Sequence, residues 1–186
     1  ALHDRMDIQY PTGTRGELAL EKIVNTMKET GRGKKFDCIL GVSGGCDSSF
    51  LAHEMVRRGL RPLAVHFDNT WDSSIAMNNI YTVLDKLEVP LETYVVDNHE
   101  YDDIYRAFIE SGVRDIDSPT DIGFMATLYQ AAERHRVKYI VEGASFRTEG
   151  VSPLGWLYMD GRYIKEVHRR HGSMPMKTFP NMPFMQ

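Results

Sequence analysis

A nine-residue stretch, "GVSGGCDSS" at 41–49, sits between the apolar run "FDCIL" and the helical pattern "FLAHEMVRR". A buried strand, a glycine turn and a helix in that order commit the chain to a parallel α/β sheet, with the turn at the carboxyl end of a strand. The turn is built for phosphate. Gly44 and Gly45 can bend sharply and let an anion approach their N–H groups. The hydroxyls of Ser43, Ser48 and Ser49 add donors, and the start of the helix adds its partial positive charge. Yet the loop has no lysine and carries an acid, Asp47. A Walker loop requires G-x-x-x-x-G-K-[ST], and a dinucleotide fingerprint requires G-x-G-x-x-G; the glycines at 41, 44 and 45 fit neither. Asp47 is explained by capping the helix, by holding a Mg²⁺ that itself rests on phosphate, or by both.

The rest of the chain repeats the alternation. A leading helix over 14–31 opens on Thr14 and Glu17 as a capping box and buries Leu20, Ile23, Val24 and Met27. Strands are expected at 35–42, 61–68, 91–97 and 137–143. Helices are expected at 48–58, from an N-cap at Asp72 to Leu87, at 100–111 with Gly112 as C-cap, and from a capping Ser118 to His135. Their apolar faces include Ala76, Ile80, Val83 and Leu84 in one, and Ile104, Tyr105, Phe108 and Ile109 in the next. Asp160-Gly161 between "WLYM" and "RYI" suggests a small hairpin. The fold class is α/β, a Rossmann-like parallel sheet with helices on both faces. We divide the single domain into a leading helix at 14–31, a core at 36–143 and a substrate-side segment at 144–186. The proline- and methionine-rich end, "MPMKTFPNMPFMQ", reads as a chain cut inside a larger protein or a tail that packs on a partner.

A net charge of −4 argues against a nucleic-acid clasp. No apolar run is long enough to cross a membrane, and no signal peptide is legible, so a cytoplasmic location is expected. Two cysteines, Cys38 and Cys46, are too few for a disulfide framework or a zinc cluster.

"SGGCDSS" resembles the S-G-G-x-D-S pyrophosphate loop of the N-type ATP pyrophosphatases, the adenine nucleotide alpha hydrolase-like (HUP-type) superfamily that includes GMP and NAD synthetases and tRNA thiolases. The strings "AVHFDNTWDSSIAMNNI" (64–80), "TYVVDNHEYDDIYRAFI" (93–109), "DIDSPTDIGFMATLYQAAE" (115–133), "EGASFRTEGVSPLGWLYMDGRYI" (142–164) and "MKTFPN" (176–181) together resemble the N-acetyl sugar amidotransferases of surface-polysaccharide biosynthesis. The resemblance implies that ATP, with Mg²⁺, adenylates the acetamido oxygen of a sugar, pyrophosphate leaves, and ammonia displaces AMP to give an acetamidino group. It implies a separate glutaminase subunit as the ammonia source. A homo-oligomer stays open. Two segments of the family pattern are missing here: a cysteine-containing stretch before the first helix and a region after "KTFPN".

By the same resemblance the nucleotide is bound by Val42, Ser43, Gly44, Gly45, Asp47, Ser48, Ser49, Phe67, Asp68, Asn69, Gly143, Ser145, Arg147 and Thr148. Catalytic roles fall to Asp47, Arg147 and Lys177, and the metal to Asp47 and Glu149. Several positions also have a plainer explanation. Asp68 and Asn69 meet the adenosine or the sugar, or they form a strand-ending Asx turn. Lys177 reaches the pyrophosphate or is simply exposed. Arg147 could neutralise phosphate with its fork in the transition state. His66 reads as a satisfied core histidine, Trp71 as a stacking platform or packing, and Glu142 as structural. In "DNHEYDD" most acids read as a solvated helix start, with Asp97 at the strand end. The "HRRHG" run at 168–172 reads as a solvated charge run. An alternative reading is another ATP pyrophosphatase, a thiolase or an NAD or GMP synthetase-like ligase; a passive adenine-nucleotide module is a third.

Overall fold

The computed structural model describes residues 2–144, 150 and 159–183. In chain order the elements are α1 (Leu2–Gln9), α2 (Gly13–Thr30), β1 (Cys38–Gly41), α3 (Cys46–Arg57), β2 (Pro62–Asp68), α4 (Ser74–Lys86), β3 (Leu91–Val95), α5 (Asn98–Ser111), α6 (Ser118–Arg134), β4 (Ile140–Val141) and α7 (Gly161–His171). The four strands form one sheet in the order β3-β2-β1-β4, and every pair is parallel. The expected α/β architecture is therefore present.

Both sheet faces are covered, which is why the strands are near-continuous apolar runs. Ile39, Leu63 and Val65 point to one side and pack with Leu128, Ala131 and Ala132 of α6. Leu40, Val42 and Ala64, one residue out of phase, point to the other and pack with Ala52 of α3 and Ile80 and Leu84 of α4. A third cluster lies beyond the sheet, where Tyr101, Ile104 and Phe108 of α5 meet Ile164 and Val167 of α7 and Phe179.

Several local expectations give way. Helix α2 starts after Thr12, so Thr14 and Glu17 lie inside it and form no capping box. Ile23 is exposed although Val24 and Met27 are buried, and Ile109 is likewise exposed. Ser73, not Asp72, caps α4, its hydroxyl accepting from the Ala76 N–H at 3.1 Å. Asp117 precedes α6 in place of Ser118, which is buried within the first turn. The Asp160-Gly161 hairpin is absent: Asp160 accepts from the Arg162 N–H and caps α7. Aspartate-glycine suits a helix start as well as a turn, and Ile164 and Val167 are buried at a helical spacing. Gly112 does cap α5 in the left-handed region, at φ 64°.

Among the described residues no helix is long and apolar enough to cross a membrane.

Candidate functional site

In the strand order, β2 and β3 lie on one side of β1 and β4 lies on the other, so the chain's direction of winding reverses between β1 and β4. In a parallel sheet that reversal opens a crevice at the carboxyl ends of the two strands. Residues 42–45 leave β1 at that point and run into α3.

Two glycines shape this crevice. Gly44 has φ 74°, and a Cβ there would fall on the Ala76 carbonyl, 2.8 Å from its carbon. The loop is thus pressed against the first turn of α4, and the Asn79 side-chain amide also donates to the Gly44 carbonyl at 3.1 Å. On the other side Gly143 follows β4, where a Cβ would sit 3.1 Å from the Asp47 carbonyl carbon and 3.2 Å from the Ser48 nitrogen. These contacts bring Val42–Ser49 and Gly143 together as one wall-to-wall turn.

Inside it the hydroxyls point inward. Ser48 is buried and donates weakly to the Gly45 carbonyl at 3.3 Å, while Ser49 donates to the same oxygen at 2.8 Å. The Ser43 N–H leans on the Ser48 hydroxyl at 3.4 Å. Their hydrogens brace the turn, which leaves the backbone N–H groups at the α3 N-terminus as its anion-facing donors. Gly45 is the residue preceding α3, so Asp47 does not cap it. Asp47 lies in the first helical turn, exposed, with no hydrogen bond or ion pair among the described residues. An exposed carboxylate in the first turn of a helix that follows a glycine turn fits Mg²⁺, which takes oxygen ligands and keeps several waters. Cys46 is exposed. Burial, aided by the adjoining Asp37 carboxylate, pushes the Cys38 thiol up to about 12, so it stays protonated and inert.

At the end of β2, Phe67 turns its ring into the core. Asp68 and Asn69 form consecutive Asx turns, accepting from the Thr70 N–H at 2.7 Å and the Trp71 N–H at 3.1 Å. Trp71 packs edge-on against Tyr105 and Tyr101, with centroids 4.4 and 5.3 Å away. His66 is 2% exposed and Nδ1 lies 2.9 Å from the Val42 carbonyl, but Nε2 has no hydrogen-bond partner. The expectation of a fully satisfied core histidine is half met. Burial raises the Glu142 carboxyl above its ordinary range.

Lys177 lies elsewhere. Its cleft is lined by Gly161, Arg162, Lys165, Met176, Phe179 and others, none from the loop. The segment carrying it is held by acids that looked solvated in the sequence. Glu100, 4% exposed, accepts from the N–H groups of Lys177, Thr178 and Phe179 and from the Thr178 hydroxyl, at 2.7–3.0 Å. One turn on, Asp103, also 4% exposed, accepts from the Ser173 N–H and hydroxyl, the Met174 N–H and His168 Nε2. His168 is therefore buried, while Arg169, Arg170 and His171 of that basic run sit outside, the two arginines paired with Glu166. Asp97 caps α5, accepting from the Glu100 N–H.

Burial would push Asp103 up, but the bonds from Ser173, His168 and Met174 outweigh it and hold the carboxyl down at about 2, against an ordinary 3.8. A folded value below the unfolded one gives stability that is present above pH 4 and lost as pH falls towards 2. The shift corresponds to about 2 kcal/mol. The stability difference between the protein and Asp103→Asn, measured by urea unfolding, should shrink by about that much from pH 5 to pH 2. A pH-independent difference would mean the carboxylate is not held this way.

Ser145, Arg147, Thr148 and Glu149 lie outside the described residues.

The fold is a four-stranded parallel α/β sheet with helices on both faces, and it is shared with solved structures. It is similar to the glutamine-dependent NAD⁺ synthetase of Acinetobacter baumannii, solved with ADP, at 15% identity over 67% of this chain and 24% of that one, with a TM-score of 0.51. Two further structures overlap at lower TM-scores. One is the NH₃-dependent NAD synthetase of Campylobacter jejuni in complex with nitrate, at 16% identity, 68% and 55% coverage and 0.49. The other is the NMN synthetase of Francisella tularensis, at 21% identity, 64% and 50% coverage and 0.45. This chain thus spans about half the length of the latter two and about a quarter of the first. No family model and no curated protein matches the sequence.

Proposed function

We propose that residues 41–49 bind the β,γ-phosphates of ATP and that the protein is an AMP-forming, nitrogen-transferring ligase. The observation that carries this reading is the turn itself: a left-handed glycine seated on a neighbouring helix, an open α3 N-terminus, and in its first turn an exposed carboxylate with no partner among the described residues. An acceptor oxygen attacks the α-phosphorus and pyrophosphate leaves. Ammonia then adds to the activated carbon, and AMP departs with the former acceptor oxygen. Asp47, with Glu149, is assigned to Mg²⁺, which when bound neutralises the departing pyrophosphate. Arg147, Ser145, Thr148 and Gly143 are assigned to the nucleotide from the segment after β4, with Asp68 and Asn69 on the β2 side. Lys177 would have to reach the pyrophosphate from the β3 side of the sheet, where Tyr94 holds its neighbour Thr178.

For the acceptor, the segments at 64–80, 142–164 and 176–181 support an acetamido sugar, whose amide oxygen is a poor leaving group until adenylated. A second reading, a ligase with a different acceptor, is favoured by the fold shared with the Acinetobacter NAD⁺ synthetase. In both readings the ammonia comes from a separate glutaminase or from free ammonium.

³¹P NMR of the protein with ATP, Mg²⁺ and ammonium, with and without UDP-linked acetamido sugars, separates these readings. Sugar-dependent AMP and pyrophosphate is the expected result. AMP without sugar dependence would leave the ligase and remove the sugar, and ADP with phosphate would overturn both. Asp47→Asn should lower turnover at least about 100-fold, as loss of one electrostatic group at a reacting centre does. Because Asp47 is exposed and has no partner among the described residues, the variant's unfolding midpoint should not move.

A further inference from the structure

We propose a second metal site, for a divalent transition ion such as Zn²⁺, formed by His66 Nε2 and the carboxylates of Asp68 and Asp72. Donor atoms of the three residues lie within 4.8 Å of one another. The imidazole decides the matter. A carbonyl oxygen only accepts, so His66 Nδ1, 2.9 Å from the Val42 carbonyl, carries the hydrogen. In the neutral ring Nε2 then presents a bare lone pair. That lone pair faces Asp72 Oδ2 at 3.4 Å, and both atoms are buried without a hydrogen-bond partner. Two acceptors buried face to face repel each other unless something positive lies between them. An ion with tetrahedral bonds of about 2.0–2.2 Å sets neighbouring donors roughly 3.3–3.6 Å apart, which matches the 3.4 Å between His66 and Asp72, with Asp68 inside the 4.8 Å limit.

The surroundings match a ligating histidine. Metal-bound imidazoles commonly donate their other N–H to a backbone carbonyl, fixing tautomer and ring orientation, as Val42 does here. Asp72 is free to serve because Ser73 takes the capping role in α4. The chain reverses between Asp68 and Asp72 through Thr70, at φ 68°, which returns the second carboxylate to the first. One nitrogen and two oxygens favour zinc or manganese over magnesium or calcium, which prefer oxygen alone. Three protein ligands leave a fourth position for water or a substrate oxygen. The competing occupant of the gap is a proton, making an imidazolium–carboxylate pair.

The test uses the full chain after chelator treatment, titrated with Zn²⁺ alone and, separately, with Co²⁺ alone, without nucleotide. Its outcome is therefore independent of the proposed ATP chemistry. Saturable 1:1 binding by calorimetry and visible Co²⁺ absorption of a four-coordinate N/O site are expected. Asp72→Asn should weaken Zn²⁺ at least about 10-fold and His66→Gln more, the scale of losing a ligand or its support. Asp72 is only partly buried, so its variant keeps the question open to measurement if the His66 variant fails to fold. Asp47→Asn should bind Zn²⁺ like the parent. Absence of saturable binding would leave the proton as occupant and overturn the site, as would affinity that survives Asp72→Asn or disappears with Asp47→Asn.

Discussion

Glu100→Ala is expected to destabilise the protein by about 2–4 kcal/mol and to expose residues 172–180 to protease. The carboxylate gathers three consecutive backbone N–H groups and a hydroxyl onto one helix position. Without it the Phe179 N–H stays buried and unpaired, and each such donor costs about 1–3 kcal/mol. The Lys177 and Thr178 donors are nearer solvent and recover part of their loss in water, which keeps the total below the sum. Phe179 would also leave the cluster formed with Tyr101 and Ile164. Glu100→Gln retains the shape and one acceptor oxygen, so it should fall between. Urea unfolding with limited proteolysis of the three proteins measures this. A Glu100→Ala variant of parental stability and protease resistance would mean that the segment is not anchored through this side chain.

Gly44→Ala should be the most damaging change in the loop, at about 2–4 kcal/mol with loss of ATP binding, while Gly45→Ala should stay within about 0.5 kcal/mol. The two glycines look alike in the sequence and differ in what surrounds them. Gly44 has φ 74°, and its Cβ would enter the backbone of Ala76, which cannot swing aside. Gly45 has φ −79°, and its Cβ would meet only the Ser43 hydroxyl at 3.4 Å. Equal effects of the two substitutions, by urea unfolding and ATP titration, would contradict this geometry.

The sheet was legible because buried parallel strands have to be apolar runs, and the sharp turn at 42–45 because adjacent glycines between a strand and a helix allow one. The helix ends at Gly31 and Gly112 were read correctly, and at Gly112 a left-handed conformation decides the matter. Capping residues were misplaced by one or two positions at Thr14, Asp72 and Ser118, since neighbouring hydroxyls and acids compete for the same donors. The larger misses were non-local. Nothing near Glu100 or Asp103 announces that residues 65 to 79 positions later will bond to them. His66 looked satisfied because its partner for Nδ1 is a backbone atom, and because the position of Asp72 depends on a left-handed threonine that no pattern requires.

That long reach also orders events in time. The strands pair once residue 141 has been made, and the cores on either sheet face can close then. The apolar side of α5 cannot, because its lid is supplied by Ile164, Val167 and Phe179. During synthesis, Tyr101, Ile104 and Phe108, packed by then only with earlier residues such as Phe67, Val96 and Ile122, must therefore wait some forty further residues after β4 for the rest of their cover. A ribosome pausing in that interval would hold a nascent chain with its four described strands paired and a sticky flank, the kind of surface that chaperones bind and that other nascent chains can join.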